Sequence, residues 1–165
     1  MLLRNYVIAF LVCLLGLKSS ACEQTKQNID DPAIKMLKEF FTVYNTAWST
    51  ADGNVLIKKL ESLRSRYCTV DYQKKLKEEF KEVGLDHDEL VNDAATDVAH
   101  LNTLKIVKDV KKANEYIVSY MVFGKDVSNN PLQEEIVMHV LAMKENGTYK
   151  IAAIKKGNYT IIPNK

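Results

Sequence analysis

The 165-residue chain has only six glycines, and none of them belongs to a motif that would identify an enzyme. There is no glycine-rich phosphate-binding loop, no Gly-x-Ser-x-Gly nucleophile motif and no pair of catalytic carboxylates at a recognisable spacing. The histidines, His87, His100 and His139, include no pair three or four residues apart, so no zinc site is predicted. These absences favour a protein that is not an enzyme and that needs no metal or cofactor.

The chain also lacks an apolar run long enough to span a membrane. Its N-terminal run extends from Tyr6 to Leu17, whereas a membrane-spanning helix needs about 20 residues. The run follows Arg4 and precedes the small residues 19–21, an order typical of a secretory signal peptide. A buried N-terminal helix or strand is the alternative, but no polar face interrupts the run. We therefore predict that residues 1–21 form an export signal.

Cys22 directly follows Ser19-Ser20-Ala21, and this arrangement resembles the lipobox that lipoprotein signal peptidase recognises. The resemblance implies cleavage before Cys22 and attachment of lipid to its thiol. Two or three acyl chains would hold the protein stably at a membrane of the cell envelope, facing the periplasm or the cell surface. An ordinary cut after Ala21 is the alternative, and it would leave Cys22 free to pair with Cys68 in an oxidising periplasm.

An excess of charge of one sign is missing once the predicted signal is removed. The full chain has a formal charge of +2, and residues 1–21 contain Arg4 and Lys18 but no acidic residue. The remainder is therefore formally neutral, which disfavours nucleic acid as a partner. Within it, Cys68 is a lone cysteine if Cys22 is lipidated, and a lone cysteine is more often a small core residue than a nucleophile.

Residues 22–31 are polar and predict a tether, which leaves residues 32–165 as a single domain. Asp31 followed by Pro32 is typical of a helix start. Apolar residues at helical spacing predict three helices, over 32–48, about 55–66 and about 70–83. In the third helix, Val83 is predicted to face inward, and Gly84 is predicted to end the helix. Residues 85–102 are acidic and weakly periodic, and they predict a loop with a short helix.

The second half of the domain changes to the period of β-strands. Strands are predicted around 104–110, 116–123, 136–143 and 148–156, with a tight turn at Asn146-Gly147 and a longer loop at 125–131. Apolar residues occupy both faces of the middle strands, so we expect helices to cover one face and the other to be partly covered. Three helices followed by four antiparallel strands predict an α+β domain with the helices packed on a curved sheet.

The order of the elements and several short stretches resemble DUF3828, a family of bacterial envelope proteins of unknown function. The similar stretches are Phe40-Phe41-Thr42-Val43-Tyr44, Arg66-Tyr67-Cys68-Thr69, Leu85-Asp86-His87-Asp88, Tyr116-Ile117-Val118-Ser119-Tyr120 and Gly147-Thr148-Tyr149-Lys150-Ile151. The resemblance covers about residues 33–157. It implies an NTF2-like or cystatin-like fold, and it supplies no catalytic residues.

Acidic residues cluster between the third helix and the first strand. Oxygen ligands for Ca²⁺ are available there from Asp86, Asp88, Glu89, Asn92, Asp93 and Asp97. The EF-hand pattern fails, because Leu90 and Val91 occupy positions where it requires a polar ligand and a glycine. We favour capping and solvation over metal binding for this segment, and keep Asp86, Asp88, Asn92 and Asp93 as candidate ligand-binding residues.

A pocket on the concave side of the sheet is the second candidate site. His139 lies within a strand and is expected to face that side, although a structural, hydrogen-bonded histidine is the simpler interpretation. Tyr44 and Tyr120 could donate hydroxyl hydrogen bonds there. Acid–base chemistry would also need a carboxylate inside the pocket, and Glu134 and Glu135 are predicted at a strand edge instead.

The sequence therefore predicts a binding module for a small ligand, a peptide or an envelope protein. One alternative is an NTF2-like enzyme of isomerase or hydrolase type with a hidden pocket. Its signature would be a buried carboxylate or histidine that faces the cavity and has a raised pKa. Another alternative is an inhibitor or immunity-like protein, for which the loop at 125–131 would be the protruding element.

Overall fold

In the computed structural model the chain divides after Asp31 into two units, Met1–Asp31 and Pro32–Lys165. The structure describes residues 30–84, 88–91, 98–125, 129, 131–157 and 160–162. The predicted signal and the predicted lipidation site Cys22 lie outside these residues. Within the described part, no helix is both long and apolar enough to cross a membrane.

Three α-helices begin the domain: α1 spans Pro32–Trp48, α2 spans Gly53–Tyr67 and α3 spans Val70–Val83. The second helix starts earlier than predicted because Asp52 caps it. The Asp52 carboxylate accepts hydrogen bonds from the backbone N–H groups of Asn54 and Val55, which have no partner within the helix. Gly53 is therefore the first residue of the second helix.

The third helix has the predicted bounds. The Thr69 hydroxyl caps its first turn by accepting from the Tyr72 N–H, and Gly84 ends it with a φ of 67°, a conformation that glycine adopts without strain. The prediction that Val83 faces inward was wrong, because Val83 is exposed. Tyr72 and Leu76 bury the inner side of the helix instead.

The strands form one antiparallel sheet. They are β1 (Lys105–Lys108), β2 (Glu115–Lys125), β3 (Pro131–Glu145), β4 (Thr148–Lys156) and β5 (Thr160–Ile162). Their order is β1-β2-β3-β4, and β5 also pairs with β3. The helices pack against the sheet, so the predicted α+β class is confirmed. The fifth strand was not predicted, and the first strand is shorter than expected because Val110 lies in the following turn.

Two glycines lie at the two ends of β4, where the backbone requires them. Asn146 and Gly147 both have positive φ and close the tight β3–β4 hairpin, as predicted. Gly157 follows β4, and its N–H donates to the Val137 carbonyl at 2.8 Å. A Cβ atom at position 157 would lie 2.7 Å from that carbonyl oxygen, so the close approach requires glycine. Beyond it, β5 continues along the same edge of β3.

The two faces of the sheet differ in their surroundings. On the inner face, which the helices cover, strand residues pack with helix residues in one core. Its fully buried side chains include Tyr116, Val118, Met138, Val140 and Ile151 from the sheet and Leu37, Phe40, Phe41 and Tyr44 from α1. Alternation along the strands turns the intervening residues to the outer face.

Candidate functional site

A short segment, residues 88–91, is buried within the domain. It contains the 3₁₀-helix Glu89–Val91, and Leu90 and Val91 are both buried in the hydrophobic core. Their adjacent apolar side chains drive the segment inward, although the surrounding sequence is acidic. We call residues 88–91 the buried segment.

Asp88 joins the buried segment to two helices. Its Oδ2 atom accepts a hydrogen bond of 2.9 Å from the Tyr44 hydroxyl in α1 and one of 3.2 Å from Arg64 in α2. Arg64 also donates from Nε to the Tyr44 oxygen at 2.9 Å. The other Asp88 oxygen accepts from the Leu90 N–H at 3.1 Å, which caps the 3₁₀-helix. The three side chains thus form a closed polar triangle inside the protein.

Burial dominates the electrostatics of this triangle. It raises the pKa of the Asp88 carboxyl above its usual value, while the Arg64 guanidinium and the hydrogen bonds from Tyr44 and Leu90 oppose the shift. Burial, followed by the neighbouring Asp88 carboxylate, also raises the pKa of Tyr44. A buried carboxylate next to a hydroxyl donor is the arrangement expected for acid–base chemistry, but Arg64 occupies the space beside both groups.

The other residues of the buried segment are also anchored. Tyr72 and Lys75 of α3 donate to the Glu89 carboxylate at 2.9 and 2.6 Å. The Tyr120 hydroxyl donates to the Val91 carbonyl at 3.1 Å. Both tyrosines that were predicted to line a pocket, Tyr44 and Tyr120, therefore hold this segment against the helices and the sheet.

The acidic candidates are only partly described. Asp86, Asn92, Asp93 and Asp97 lie outside the described residues. Asp88 and Glu89 lie inside them, and their oxygens are occupied by protein donors. Among the described side chains there is no group of three or more that could hold a metal ion. Asp88 does cap a short helix, as expected, but it is buried and hydrogen-bonded to protein groups, so the expectation that it is solvated was wrong.

Two sequence predictions about the sheet were wrong. Glu134 and Glu135 do not lie at a strand edge, because β3 pairs with β2 on one side and with β5 on the other at these positions. His139 does not face the helices. It pairs with Ile117 in register and lies on the outer face, 3.5 Å from the Glu115 carboxylate. The error arose because both faces of β3 carry apolar residues, so alternation alone did not identify the inner one.

The outer face of the sheet is apolar at its centre. Its apolar side chains include Val107, Ile117, Met121, Val137, Leu141 and Met143. Each is partly or largely accessible to solvent, and Met143 is 47% exposed. None of them belongs to the hydrophobic core that the described residues form. We use "outer face" below for these six residues together with Glu135, His139 and Lys155, which share their side of the sheet.

A cleft also opens on the helix side of the domain. It encloses about 360 Å³ between the start of α1 and the β3–β4 hairpin, and its lining includes Pro32, Met36, Lys144 and Tyr149. The Lys144 ammonium lies 5.3 Å from the centre of the Tyr149 ring. None of the three side chains of the polar triangle lines this cleft.

Cys68 is completely buried where α2 ends beside β4. Burial raises the pKa of its thiol to about 12. The nucleophilic thiolate is therefore scarce at neutral pH, and the residue fits the predicted role of a small core side chain.

Comparison with known proteins supports the fold and leaves the function open. No family model matches the chain, and no curated protein matches it. A solved structure of a protein of unknown function from Bacteroides thetaiotaomicron VPI-5482 is similar, with a TM-score of 0.61 and 18% sequence identity. The match covers 79% of this chain and 94% of that one. At this identity the likeness shows a shared fold alone.

Proposed function

We propose that this chain is a lipid-anchored protein of the cell envelope, a DUF3828-like binding module without catalytic activity. In this proposal the domain binds a protein partner through the outer face of its sheet. The observation that carries it is the apolar centre of that face, which the described helices leave uncovered. Contiguous apolar surface of this kind is typical of interaction sites.

The inner side of the domain argues for a protein partner rather than a reaction. Helix residues and the buried segment pack in one core with the inner face of the sheet. Asp88 is the one buried carboxylate among the described residues, and Tyr44, Arg64 and Leu90 engage its oxygens. A reactive carboxylate would need free access to substrate.

The proposed anchor rests on Cys22 and the residues before it. Intact mass of the membrane-extracted protein tests it directly, with Cys22→Ala as the matched variant. We expect the wild type to carry the added mass of a diacylglycerol and an acyl chain and to start at Cys22. An unlipidated wild type in the soluble fraction would contradict the anchor.

The proposed binding face is tested by placing a charge at its centre. Val137→Lys should leave the melting temperature within a few degrees of wild type, because the side chain is partly exposed. It should abolish any complex that the detergent-extracted protein forms, measured as the mass of the native particle. Val83→Lys places the same charge on the exposed side of α3 and is the control. Equal effects of both variants would contradict a role for the outer face.

A small ligand is the second candidate, and the cleft beside α1 favours it. Its combination of Met36, Tyr149 and the Lys144 ammonium suits a small apolar molecule with a negative charge. The dye anilinonaphthalene sulfonate has this chemistry. Its binding to wild type should be weakened by Tyr149→Ser and retained by Val137→Lys, and the reverse pattern would exclude the cleft.

A further inference from the structure

We infer that the outer face binds a second copy of this chain, so that two sheets pack face to face about a two-fold axis. This inference rests on the proposed function and names the partner. It starts from two charged residues on the outer face, Glu135 and Lys155. Neither forms an ion pair with another described residue, whereas the nearby Glu115 is paired with Lys112 at 3.0 Å.

The strand register places these two charges on opposite sides of Val137. Glu135 precedes Val137 by two residues on β3, and Lys155 pairs with His139, which follows Val137 by two residues. Residues that lie side by side across the strands form a row. A two-fold axis that lies between the two sheets and crosses the strands at Val137 exchanges the row of Glu135 with the row of His139 and Lys155. It brings Glu135 of each copy over the row of Lys155 in the other. Symmetry therefore gives two favourable charge pairs from one arrangement. The exposed Lys105 shares the row of Val137 through Ser119, and the axis places it opposite its own copy at the β1 edge of the sheet.

The same axis matches the apolar residues. Met121 lies in the row of Glu135, and Ile117 lies in the row of His139. Exchange of the rows packs Met121 of one copy against Ile117 of the other, and Val137 packs against its own copy at the axis. A different protein partner would have to provide this pattern independently, whereas a second copy provides it from its own sequence.

The area of this side of the sheet reaches the lower end of the range for a stable dimer. β2 and β3 pair over eleven positions, and β4 adds nine residues. With strands about 4.8 Å apart and about 3.4 Å per residue, the whole sheet presents roughly 600 Å² on this side. Specific interfaces bury about 600–1,000 Å² per partner. Face-to-face sheets also pack about 10 Å apart, which side chains of this size fill.

The test is a charge exchange in the full-length chain, extracted in detergent. Glu135→Lys and Lys155→Glu should each weaken self-association about tenfold, because each creates two like-charge contacts in the dimer. An equimolar mixture of the two variants should form mixed dimers with near wild-type affinity, because both contacts then regain opposite signs. Lys58→Glu, on the exposed side of α2, should have no effect. Sedimentation velocity measures the self-association of the two single variants, their mixture and the control. In the mixture, one variant carries a fluorescent label.

Failure of the inference can be distinguished from failure of the proposed function. A wild type that stays monomeric, or a mixture that does not regain affinity, overturns self-association. If Val137→Lys nevertheless removes a complex with another protein, the outer face remains a binding surface for a different partner. If wild type forms no complex of any kind, the proposed function fails as well.

Discussion

The Tyr44 hydroxyl lies 2.9 Å from Asp88 Oδ2 and joins the C-terminal half of the first helix to a buried segment 44 residues later in the chain. This contact, with Arg64 bridging both groups, ties α1, α2 and the buried segment together. The residues that seemed from the sequence to suit a reactive site therefore serve the packing of the domain. Their loss should be measured first in stability.

Removal of the Tyr44 hydroxyl should destabilise the fold. Tyr44→Phe deletes a donor to Asp88 and an acceptor for Arg64, and both partners remain buried. We expect a loss of about 1–3 kcal/mol in the free energy of unfolding, measured by urea denaturation. Tyr149→Phe is the control, because the part of the chain described by the structure offers its hydroxyl no hydrogen bond, and it should change stability by less than about 0.5 kcal/mol.

Replacement of Arg64 should produce a loss of stability that depends on pH. Arg64→Leu leaves the Asp88 carboxylate without its cation, and breaking a buried pair in this way costs about 3–5 kcal/mol. The pKa of Asp88 in the folded state, already raised by burial, rises further without Arg64. When the pKa of a carboxyl is raised in the folded state, it contributes stability at pH values below its unfolded-state pKa of about 4. That contribution is lost as the pH rises through the folded-state pKa.

The Arg64→Leu loss should accordingly be larger at pH 7 than at pH 4, as measured by urea denaturation at both values. The double variant Arg64→Leu/Asp88→Asn is the control, since it has no carboxyl to titrate at position 88. An equal loss for Arg64→Leu at both pH values would show that Asp88 does not need the guanidinium.

Cys68 should resist thiol reagents in the native protein. Burial raises its pKa to about 12, so the thiolate population at pH 8 is on the order of one in ten thousand. Iodoacetamide at pH 8 should leave the peptide containing Cys68 unmodified for hours, whereas the same treatment in concentrated urea should alkylate it fully. Mass spectrometry of the digested protein measures both. Rapid native alkylation would mean that the end of α2 opens readily.

A methyl group at position 157 should distort the edge of the sheet. In Gly157→Ala the new Cβ atom would lie 2.7 Å from the Val137 carbonyl oxygen, and backbone must move to relieve the contact. We expect a loss of about 1–3 kcal/mol in the free energy of unfolding. Gly124→Ala is the matched control, because a Cβ atom there meets no atom within 4 Å. Similar losses for the two variants would show that the contact with the Val137 carbonyl is not the cause of the destabilisation.

Much of the fold was predictable because its signals are local. The helical spacing of apolar residues, the Thr69 cap and the Asn146-Gly147 turn each specify structure within a few neighbouring residues. The three residues of β5 are too few to establish an alternation, and this strand forms only because β3 extends beyond the end of β4.

The polar triangle was not predictable for a related reason. Arg64 lies in a helix whose other charges are exposed, and its partner Asp88 lies 24 residues away in an acidic segment. No periodicity links two such positions. The available signal was the pair Leu90 and Val91, whose apolar side chains indicated that this acidic stretch turns inward.

The most direct test of the binding face is site-specific photo-crosslinking in the intact envelope. A photoreactive side chain at Met143, which is 47% exposed on the outer face, should give a single defined protein adduct. The same group at Val110, which is 77% exposed in the turn after β1, should give none, although it meets solvent more freely. An adduct from Met143 alone is the result that we predict. No adduct from Met143, or the same adducts from both positions, would contradict the proposal that the outer face of the sheet binds a protein.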